Sequence, residues 1–365
     1  MKVNVRKGLD INLEGASLNT ISDANSPKVV ALKPSDFPNL MPKMMVKEGD
    51  DVKCGSVVFC DKYNDEIKFV SPVSGNIKEI VRGAKRKILA ITINSDGKME
   101  QLQSSPKDLS KLDVSEIKSE LMSSGLWPLL KMRPIDIVAI PKDTPKSIFI
   151  SSFDTHPLSP DYGYIMQGKS AEFNAGLEVL SKLTAGDVHL QVRSDSDEVF
   201  TKASNVNINT VVGPHPAGNV GVQIHNIDTL NKGEVIWCIN PQDVMIIGRY
   251  TLTGAYDASK IIAVGGSNIS TRQYFKTISG ASIDSIINSS DVEDNSRIVS
   301  GNPLTGDHTD INGYLGFYHH QIAVLPEGNQ HKFFLTEGWL SAGFNKLSAS
   351  KSYPSWLLPK TKIYD

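Results

Sequence analysis

KEGDDVKCG at residues 47–55 and SPVSG at residues 71–75 are the two phrases that decide the fold of the first part of the chain. They lie within residues 44–93, where short β-branched runs are interrupted by Gly, Pro and Asp every few residues. Such spacing is typical of short strands joined by tight turns. The stretch therefore predicts a small all-β unit.

The same two phrases resemble those of biotinyl/lipoyl-like hammerhead domains. In carrier proteins of that type a modified lysine lies at the hairpin tip between the phrases, a position that falls at Asn64 here. Lys62 lies two residues too early, and no methionines flank it. We therefore expect a hammerhead β domain without the swinging-arm function.

Composition excludes several classes of protein. Lys and Arg number 38 and Asp and Glu number 40, so the formal net charge is −2, which argues against a nucleic-acid-binding protein. Apolar residues make up 40% of the chain and charged residues 21%, which is ordinary for a chain with a packed core. Cys54, Cys60 and Cys238 form no Cys-x-x-Cys pair, so we expect no disulfide scaffold and no metal or iron–sulfur site.

We expect no targeting or membrane-spanning segment in this sequence. The first ten residues are rich in charge and no apolar run of a signal peptide follows them,. No stretch reaches the ~18 apolar residues of a transmembrane helix. We expect a cytoplasmic location, either for a free protein or for a component docked on a membrane complex.

Residues 106–254 alternate between helical and strand patterns. Apolar residues that recur on one helical face predict helices over residues 115–124 and 170–183,. Short apolar runs predict strands over residues 147–153, 188–192, 206–212, 235–239 and 244–247. This alternation implies a parallel or mixed sheet covered by helices, a Rossmann-like α/β domain.

A third unit begins near residue 258. Strands are predicted over residues 260–264 and 274–278, followed by a short helix with Ile283, Ile286 and Ile287 on one face,. This order resembles a β-grasp module of the soluble-ligand-binding type. We therefore expect an α/β multidomain chain with an N-terminal segment (1–27), a hammerhead β domain (28–104), a Rossmann-like domain (105–256), a β-grasp module (257–328) and a C-terminal extension (329–365).

Two glycine-containing motifs are candidates for ligand contacts. GYIMQGKS at residues 163–170 matches the P-loop expression, but its first glycine does not follow a strand directly, and we interpret the match as chance,. GPHPAGNVG at residues 213–221 follows a predicted strand, where α/β folds bind ligands. Gly213, His215 and Gly218 are candidates there, although a rigid turn that fixes its neighbours is the favoured alternative.

A series of phrases, in constant order along the chain, resembles one bacterial family. The series includes RGAKR (82–86), SGLW (124–127), DTHPL (154–158), GPHPAG (213–218), INPQDV (239–244), GNPLTG (301–306) and YLGFYH (314–319). On these phrases the chain is identified as a member of the NqrA family of the Na⁺-translocating NADH:quinone reductases. Members of that family continue past this C terminus, so we expect a truncated chain.

The resemblance implies a cofactor-free peripheral subunit on the cytoplasmic side of the inner membrane. It implies five partner subunits, with NAD, FMN, FAD and iron–sulfur sites on those partners alone, and electron transfer to ubiquinone coupled to Na⁺ transport. The family is also related in fold to the flavin subunit of respiratory complex I. WPLLKMRP at residues 127–134 replaces that relative's glycine-rich flavin loop, so we expect the flavin site to be filled,.

The resemblance further implies quinone binding by residues 32–41 and 127–137. A quinone site needs an apolar slot and one or two hydrogen-bond donors. The candidates are Leu32, Phe37, Met41, Trp127, Lys131, Arg133 and Pro134. The alternative is that the aromatic side chains are core and that Arg133 pairs with Asp136.

Two other functions are weighed against this one. A stand-alone ligand-binding or carrier module would use the hammerhead and β-grasp units and would show added mass on Lys62. A nucleotide-dependent enzyme would use residues 163–170. A complex subunit would instead co-purify with membrane partners, and the pure chain would not oxidise NADH.

Overall fold

The computed structural model describes residues 1–102, 109–344, 346 and 352–357. Its strands are β1 (Lys2–Asn4), β2 (Leu18–Asp23), β3 (Val29–Leu32), β4 (Pro42–Met44), β5 (Asp51–Val52), β6 (Val57–Asp61), β7 (Lys68–Val70), β8 (Gly75–Arg82), β9 (Ile88–Ser95), β10 (Lys131–Arg133), β11 (Ile137–Val138), β12 (Ile148–Ser151), β13 (Val188–Val192), β14 (Asn207–Val212), β15 (Ile236–Cys238), β16 (Ser259–Gly265), β17 (Gln273–Ile278), β18 (Ser296–Ser300), β19 (Asp307–Thr309) and β20 (Gln321–Pro326). Its α-helices are α1 (Val114–Ser123), α2 (Tyr162–Ile165), α3 (Ser170–Lys182), α4 (Glu198–Thr201), α5 (Val220–Ile227) and α6 (Pro241–Thr253). Short 3₁₀ turns lie at Pro34–Asp36, Ala84–Arg86, Leu109–Lys111, Trp127–Leu129, Ile283–Ser285, Ser289–Asp291 and Pro354–Leu357.

Two small sheets form the first unit, which is all-β as predicted. One has the strand order β3-β9-β8-β5 and the other β4-β6-β7. Gly49 and Gly55 have φ of +88° and +90° in the turns around β5, a backbone conformation that favours glycine,. Fully buried side chains between the sheets include Val58, Phe59 and Ile91, which form the core of this unit.

The second unit contains a mixed sheet with the strand order β1-β14-β13-β12-β15-β10-β11. The strands from β14 to β15 are parallel, as the alternating pattern predicts. Helices α3 and α6 cover one face, and α5 covers the other through Ile224 on Phe149 and Ile236. The carboxyl ends of β12 and β15 therefore open at one edge between two layers of helices.

The prediction of a strand over residues 244–247 is wrong, because this run lies inside α6. Asn240 caps the helix by accepting the backbone N–H of Gln242 at 2.9 Å, and Pro241 occupies the first helical position,. The apolar run is buried because α6 lies against α3 and the third unit. A short apolar run that is buried on all sides has the same pattern in a strand and in a helix.

The third unit contains a sheet with the strand order β19-β18-β20-β16-β17-β2. The predicted helix after residue 282 is wrong beyond its first turn, since only the 3₁₀ turn at residues 283–285 forms. Ile283, Ile286 and Ile287 are nevertheless buried. The polar residues that follow favour turns over helix, and a second 3₁₀ turn begins at Ser289,.

The N-terminal segment joins two sheets. Strand β1 pairs in parallel with β14 of the second unit, and β2 pairs in parallel with β17 of the third unit. Residues 1–27 are thus an integral part of both sheets, while the predicted domain boundaries stay predictions. Within the predicted extension, residues 345, 347–351 and 358–365 lie outside the described residues.

Candidate functional site

Two cavities flank the segment of residues 127–141. The first, which we name the interdomain cleft, has a volume of about 690 Å³. It lies where β12 and β15 end and α5 and α6 begin, and residues 301–305 and 318–321 of the third unit close its far side. The carboxyl edge of parallel strands is the place where α/β folds bind ligands.

One wall of the cleft is basic. The Lys131 Nζ lies 2.8 Å from the Asp136 Oδ2, and the Arg133 Nη2 lies 3.3 Å from the Asp136 Oδ1. Burial raises the pKa of the adjacent Cys238 thiol to about 11, although the Arg133 charge and a hydrogen bond from the Arg133 side chain oppose this shift. This wall therefore carries two cations and one acid.

A single buried acid lies deeper in the cleft. Asp243 is only 3% exposed, and its carboxyl makes no hydrogen bond or ion pair to the residues that the structure describes. Desolvation raises the pKa of Asp243 to about 6, and attraction to the buried Lys260 opposes that shift. The Lys260 Nζ donates its hydrogen bond to the Phe317 carbonyl at 2.7 Å. The Asp243 oxygens are thus free to accept hydrogen bonds from a ligand.

The first turn of α5 forms a third wall. The buried Asn219 Oδ1 accepts no hydrogen bond from the described residues, although Asn219 occupies the cap position of α5. The backbone N–H groups of Val220 and Gly221 donate no hydrogen bond to any described residue. A Cβ added at Gly221 would meet no atom within 4 Å. This helix end therefore offers free donors in open space, together with the positive end of its dipole.

Two histidines of the third unit line the same cleft without adding charge. His320 Nδ1 lies 3.1 Å from the Gln242 Nε2, and His319 Nδ1 lies 2.8 Å from the Ser300 Oγ. Burial lowers the pKa of His319 to about 4 and that of His320 well below its usual value. This side of the cleft is thus neutral at pH 7.

The turn at residues 213–218 lies beside the cleft. Gly213 has φ of +144°, and a Cβ there would lie 2.2 Å from the Val5 carbonyl oxygen. The His215 backbone N–H donates to Asp10, and its ring lies 3.1 Å from the Thr155 Oγ1. Of the three candidates in this turn, Gly218 lines the cleft, whereas Gly213 and His215 contact neighbouring backbone and side chains.

The second cavity, which we name the apolar groove, has a volume of about 290 Å³. It separates the first unit from the β10–β11 hairpin and the residues that follow it. Its lining is Pro38, Asn39, Leu40, Asp61, Tyr63, Asn64, Ile67, Phe69 and residues 137–141. The side-chain amides of Asn39 and Asn64 make no hydrogen bond to other described residues. The groove is therefore an apolar slot with amide donors at its rim.

The predicted quinone segments approach each other, but their candidate residues separate into three groups. Lys131 and Arg133 face the interdomain cleft. Met41 and Pro134 are exposed. Three are core residues: Leu32, Phe37 and Trp127.

The buried aromatic side chains support the groove from behind. The Trp127 Nε1–H donates to the Ala139 carbonyl at 2.7 Å, and its ring packs edge-on against Trp237. The Phe37 ring lies 4.6 Å from that of Phe69, which lines the groove. Phe37 and Trp127 thus support the walls of the groove but do not line it.

Two other motifs have clear places. Gly163 lies inside the short helix α2, where a Cβ would meet the Asp197 carboxylate, so residues 163–170 form no phosphate loop. Residues 127–134 form one wall of the interdomain cleft and leave its space open. The expectation that this segment fills the flavin site of a related subunit stays a prediction.

Asp243 is the cleft residue that sequence reasoning missed. Asn219 lies within the predicted motif at residues 213–221 but is not one of its three candidate residues. The Asn240-Pro241 pair is a helix-start signal that would have placed Asp243 in the first turn of α6. The assignment of residues 244–247 to a strand hid that signal. Nothing local marks the Asn219 side chain as unpartnered, because its surroundings come from distant segments.

The chain matches three family models that together span most of its length. The NqrA N-terminal barrel-sandwich hybrid domain matches residues 3–96, the NqrA second alpha/beta domain matches residues 112–256, and the NQRA C-terminal domain matches residues 261–310. The fold and these matches define a multidomain component of a respiratory NADH-quinone reductase.

Relatives identify this component. The NqrA protein of the Na(+)-translocating NADH-quinone reductase of Vibrio vulnificus (strain YJ016) is 37% identical over 96% of this chain and 78% of its own length. The corresponding protein of Neisseria meningitidis serogroup B (strain ATCC BAA-335 / MC58) is 34% identical over 99% of this chain and 81% of its own length. The chain belongs to the NqrA family, whose members are subunits of the Na⁺-translocating NADH-quinone reductase.

Three further findings complete the comparison. A crystal structure of an NAD⁺-reducing [NiFe]-hydrogenase superposes with a TM-score of 0.38 and 12% identity over 51% of this chain and 41% of that chain. Within the described residues, no helix has the length and apolar character to cross a bilayer. The same residues include no cluster of three or more His, Cys, Asp or Glu that would hold a metal ion.

Proposed function

We propose that this chain docks on membrane subunits of the reductase at the cytoplasmic face and holds the ubiquinone headgroup in the apolar groove. The chain itself transfers no electrons, since the redox cofactors belong to its partners. The observation that carries the proposal is the convergence of residues 38–40 and 137–141 on one apolar slot.

The chemistry of the groove suits a quinone. Phe69 and Ile67 are buried on its floor, and burial of a flat apolar ring against them gains free energy in proportion to the area removed from water,. The side-chain amides of Asn39 and Asn64, which make no hydrogen bond to other described residues, supply N–H donors for the two carbonyl oxygens,. Exposed apolar side chains near the groove, including Met41, Tyr63 and Ile140, suit an isoprenoid tail or an apolar partner surface,.

Calorimetric titration of the chain with a water-soluble ubiquinone analogue tests this proposal. Ile140, which follows β11, lines the groove and is 39% exposed, whereas Ile135, in the turn between β10 and β11, is 60% exposed and does not line the groove. We expect Ile140→Asp to weaken binding by about tenfold or more, because the carboxylate must be desolvated beside the ring. Ile135→Asp is the matched control and should bind normally.

Three outcomes would contradict the proposal. Equal affinities of the two variants would place the quinone elsewhere. A loss of affinity in Arg133→Ala with no loss in Ile140→Asp would move the quinone to the interdomain cleft. Absence of saturable binding to the isolated chain would mean that a partner protein supplies the site.

A further inference from the structure

We propose that the interdomain cleft binds a phosphorylated sugar, free or as part of a nucleotide, with its phosphate at the first turn of α5 beside Arg133 and its hydroxyl groups on Asp243. This site is separate from the groove of the proposed quinone function. The volume of the interdomain cleft, about 690 Å³, lies in the range of sites for small organic ligands,.

Asp243 is the hydrogen-bond acceptor of the proposed site. A carboxyl group that is only 3% exposed usually has hydrogen-bond partners, because a buried polar group without one costs free energy,. Asp243 has none among the described residues and faces the open cleft. Vicinal hydroxyl groups are the donors that a carboxylate binds in α/β nucleotide sites.

The donor end rests on two independent groups. The N–H groups of Val220 and Gly221 point from the start of an eight-residue helix, where the dipole favours an anion,. The Arg133 guanidinium lines the adjacent wall and adds a positive charge. Donors for an anion and acceptors for hydroxyl groups therefore line one cavity.

The cations of the cleft lie on one wall. Lys131 and Arg133 share the single carboxylate of Asp136, which leaves one positive charge on this wall. The Asp154 Oδ1 lies 2.5 Å from the His156 Nδ1. The phosphate is therefore placed at the basic wall, and the Asp243 carboxyl, which has no partner among the described residues, is the acid proposed to contact hydroxyl groups.

Titration of the full chain with ribose 5-phosphate, AMP, ribose and inorganic phosphate tests the proposal. We expect ribose 5-phosphate to bind at least about tenfold more tightly than phosphate or ribose, because it satisfies both ends of the site. A further gain for AMP would identify a nucleotide, and equal affinity for AMP would identify a sugar phosphate. Either result supports the proposal.

Two variants test the acceptor end and the donor end of the site separately. Asp243→Asn keeps the shape of the carboxyl group, and it should weaken ribose 5-phosphate by about tenfold while phosphate affinity stays unchanged. Arg133→Ala removes the positive charge of the guanidinium and should weaken both ligands. Asp195→Asn alters an exposed acid that does not line the cleft and serves as the matched control.

The proposal is overturned if neither phosphate ester binds saturably at millimolar concentration. It is also overturned if phosphate and ribose 5-phosphate bind equally, or if Asp243→Asn affects ribose 5-phosphate no more than Asp195→Asn does. Quinone binding in the groove should be unchanged in all three variants, so the two proposals fail independently.

Discussion

The apolar groove and the interdomain cleft lie on two sides of the same segment, yet their walls differ in kind. The groove has a floor of buried aromatic and aliphatic side chains. The cleft is lined by the Asp243 carboxyl and by the first turn of α5, and neither the carboxyl nor the Val220 and Gly221 N–H groups have a hydrogen-bond partner among the described residues. A structural core avoids such unpaired polar groups because each one destabilises the fold. The contrast indicates that stability alone does not explain the walls of the cleft.

The largest effect is expected at Trp127, whose buried ring supports the wall of the apolar groove. Trp127→Ala should lower the free energy of unfolding by about 3–5 kcal/mol, since it removes a fully buried ring and leaves a cavity,. Urea unfolding measures this change. Trp339→Ala, at a site that is 70% exposed, is the control and should have little effect. A loss below about 1 kcal/mol for Trp127→Ala would mean that the segment is supported from elsewhere.

The second prediction is an increase in the free energy of unfolding, caused by a change at Asp243. The pKa of Asp243 is raised to about 6 in the folded chain from a usual value of 3.8, so the folded state binds more protons between these values and stability falls as pH rises through this window. A shift of about two pKa units corresponds to about 3 kcal/mol at pH 7. Asp243→Asn should therefore raise the free energy of unfolding by up to about 3 kcal/mol at pH 7, and by much less at about pH 4.

Thermal denaturation at the two pH values measures this difference, with Asp195→Asn as the control. Destabilisation by Asp243→Asn at neutral pH would contradict this prediction, because it would show that the carboxylate stabilises the folded chain. The expected increase in stability would identify Asp243 as an acid that destabilises the fold at pH 7.

The smallest effect is expected at Arg133. Its ion pair with Asp136 is partly exposed, and Lys131 still pairs with Asp136 when Arg133 is removed. Arg133→Ala should therefore change the free energy of unfolding by less than about 0.5–1 kcal/mol. Parallel unfolding curves for the variant and the parent chain would check this. A larger loss would make Arg133 a structural residue and weaken the case for a ligand at this wall.

Local patterns predicted most of the fold. The observed bounds of α3, β13 and β14 differ from the predicted ones by at most one residue, since periodic apolar residues flanked by turn formers specify such elements locally,. The sequence did not reveal that α6 is a helix throughout residues 241–253, because its apolar run is buried against both α3 and the third unit. It also did not reveal the pairing of β1 and β2 with distant strands.

The candidate sites were less predictable than the fold. Residues 32–41 and 127–137 do approach each other, but the side chains chosen within them lie in the core, in solvent or in the other cavity. Backbone conformation and neighbours from other units decide which way each side chain points. The unpaired state of Asp243 depends on residues from distant parts of the chain, so no local pattern reports it.

The pairing of β1 with β14 has a consequence for synthesis. Residues 2–4 leave the ribosome about 200 residues before residues 210–212, their partners in the sheet. At typical elongation rates this delay is on the order of 10–40 s. The N-terminal strand thus waits unpaired while the whole first β unit folds behind it. It is fixed only when the second unit closes, and β2 waits longer still for β17.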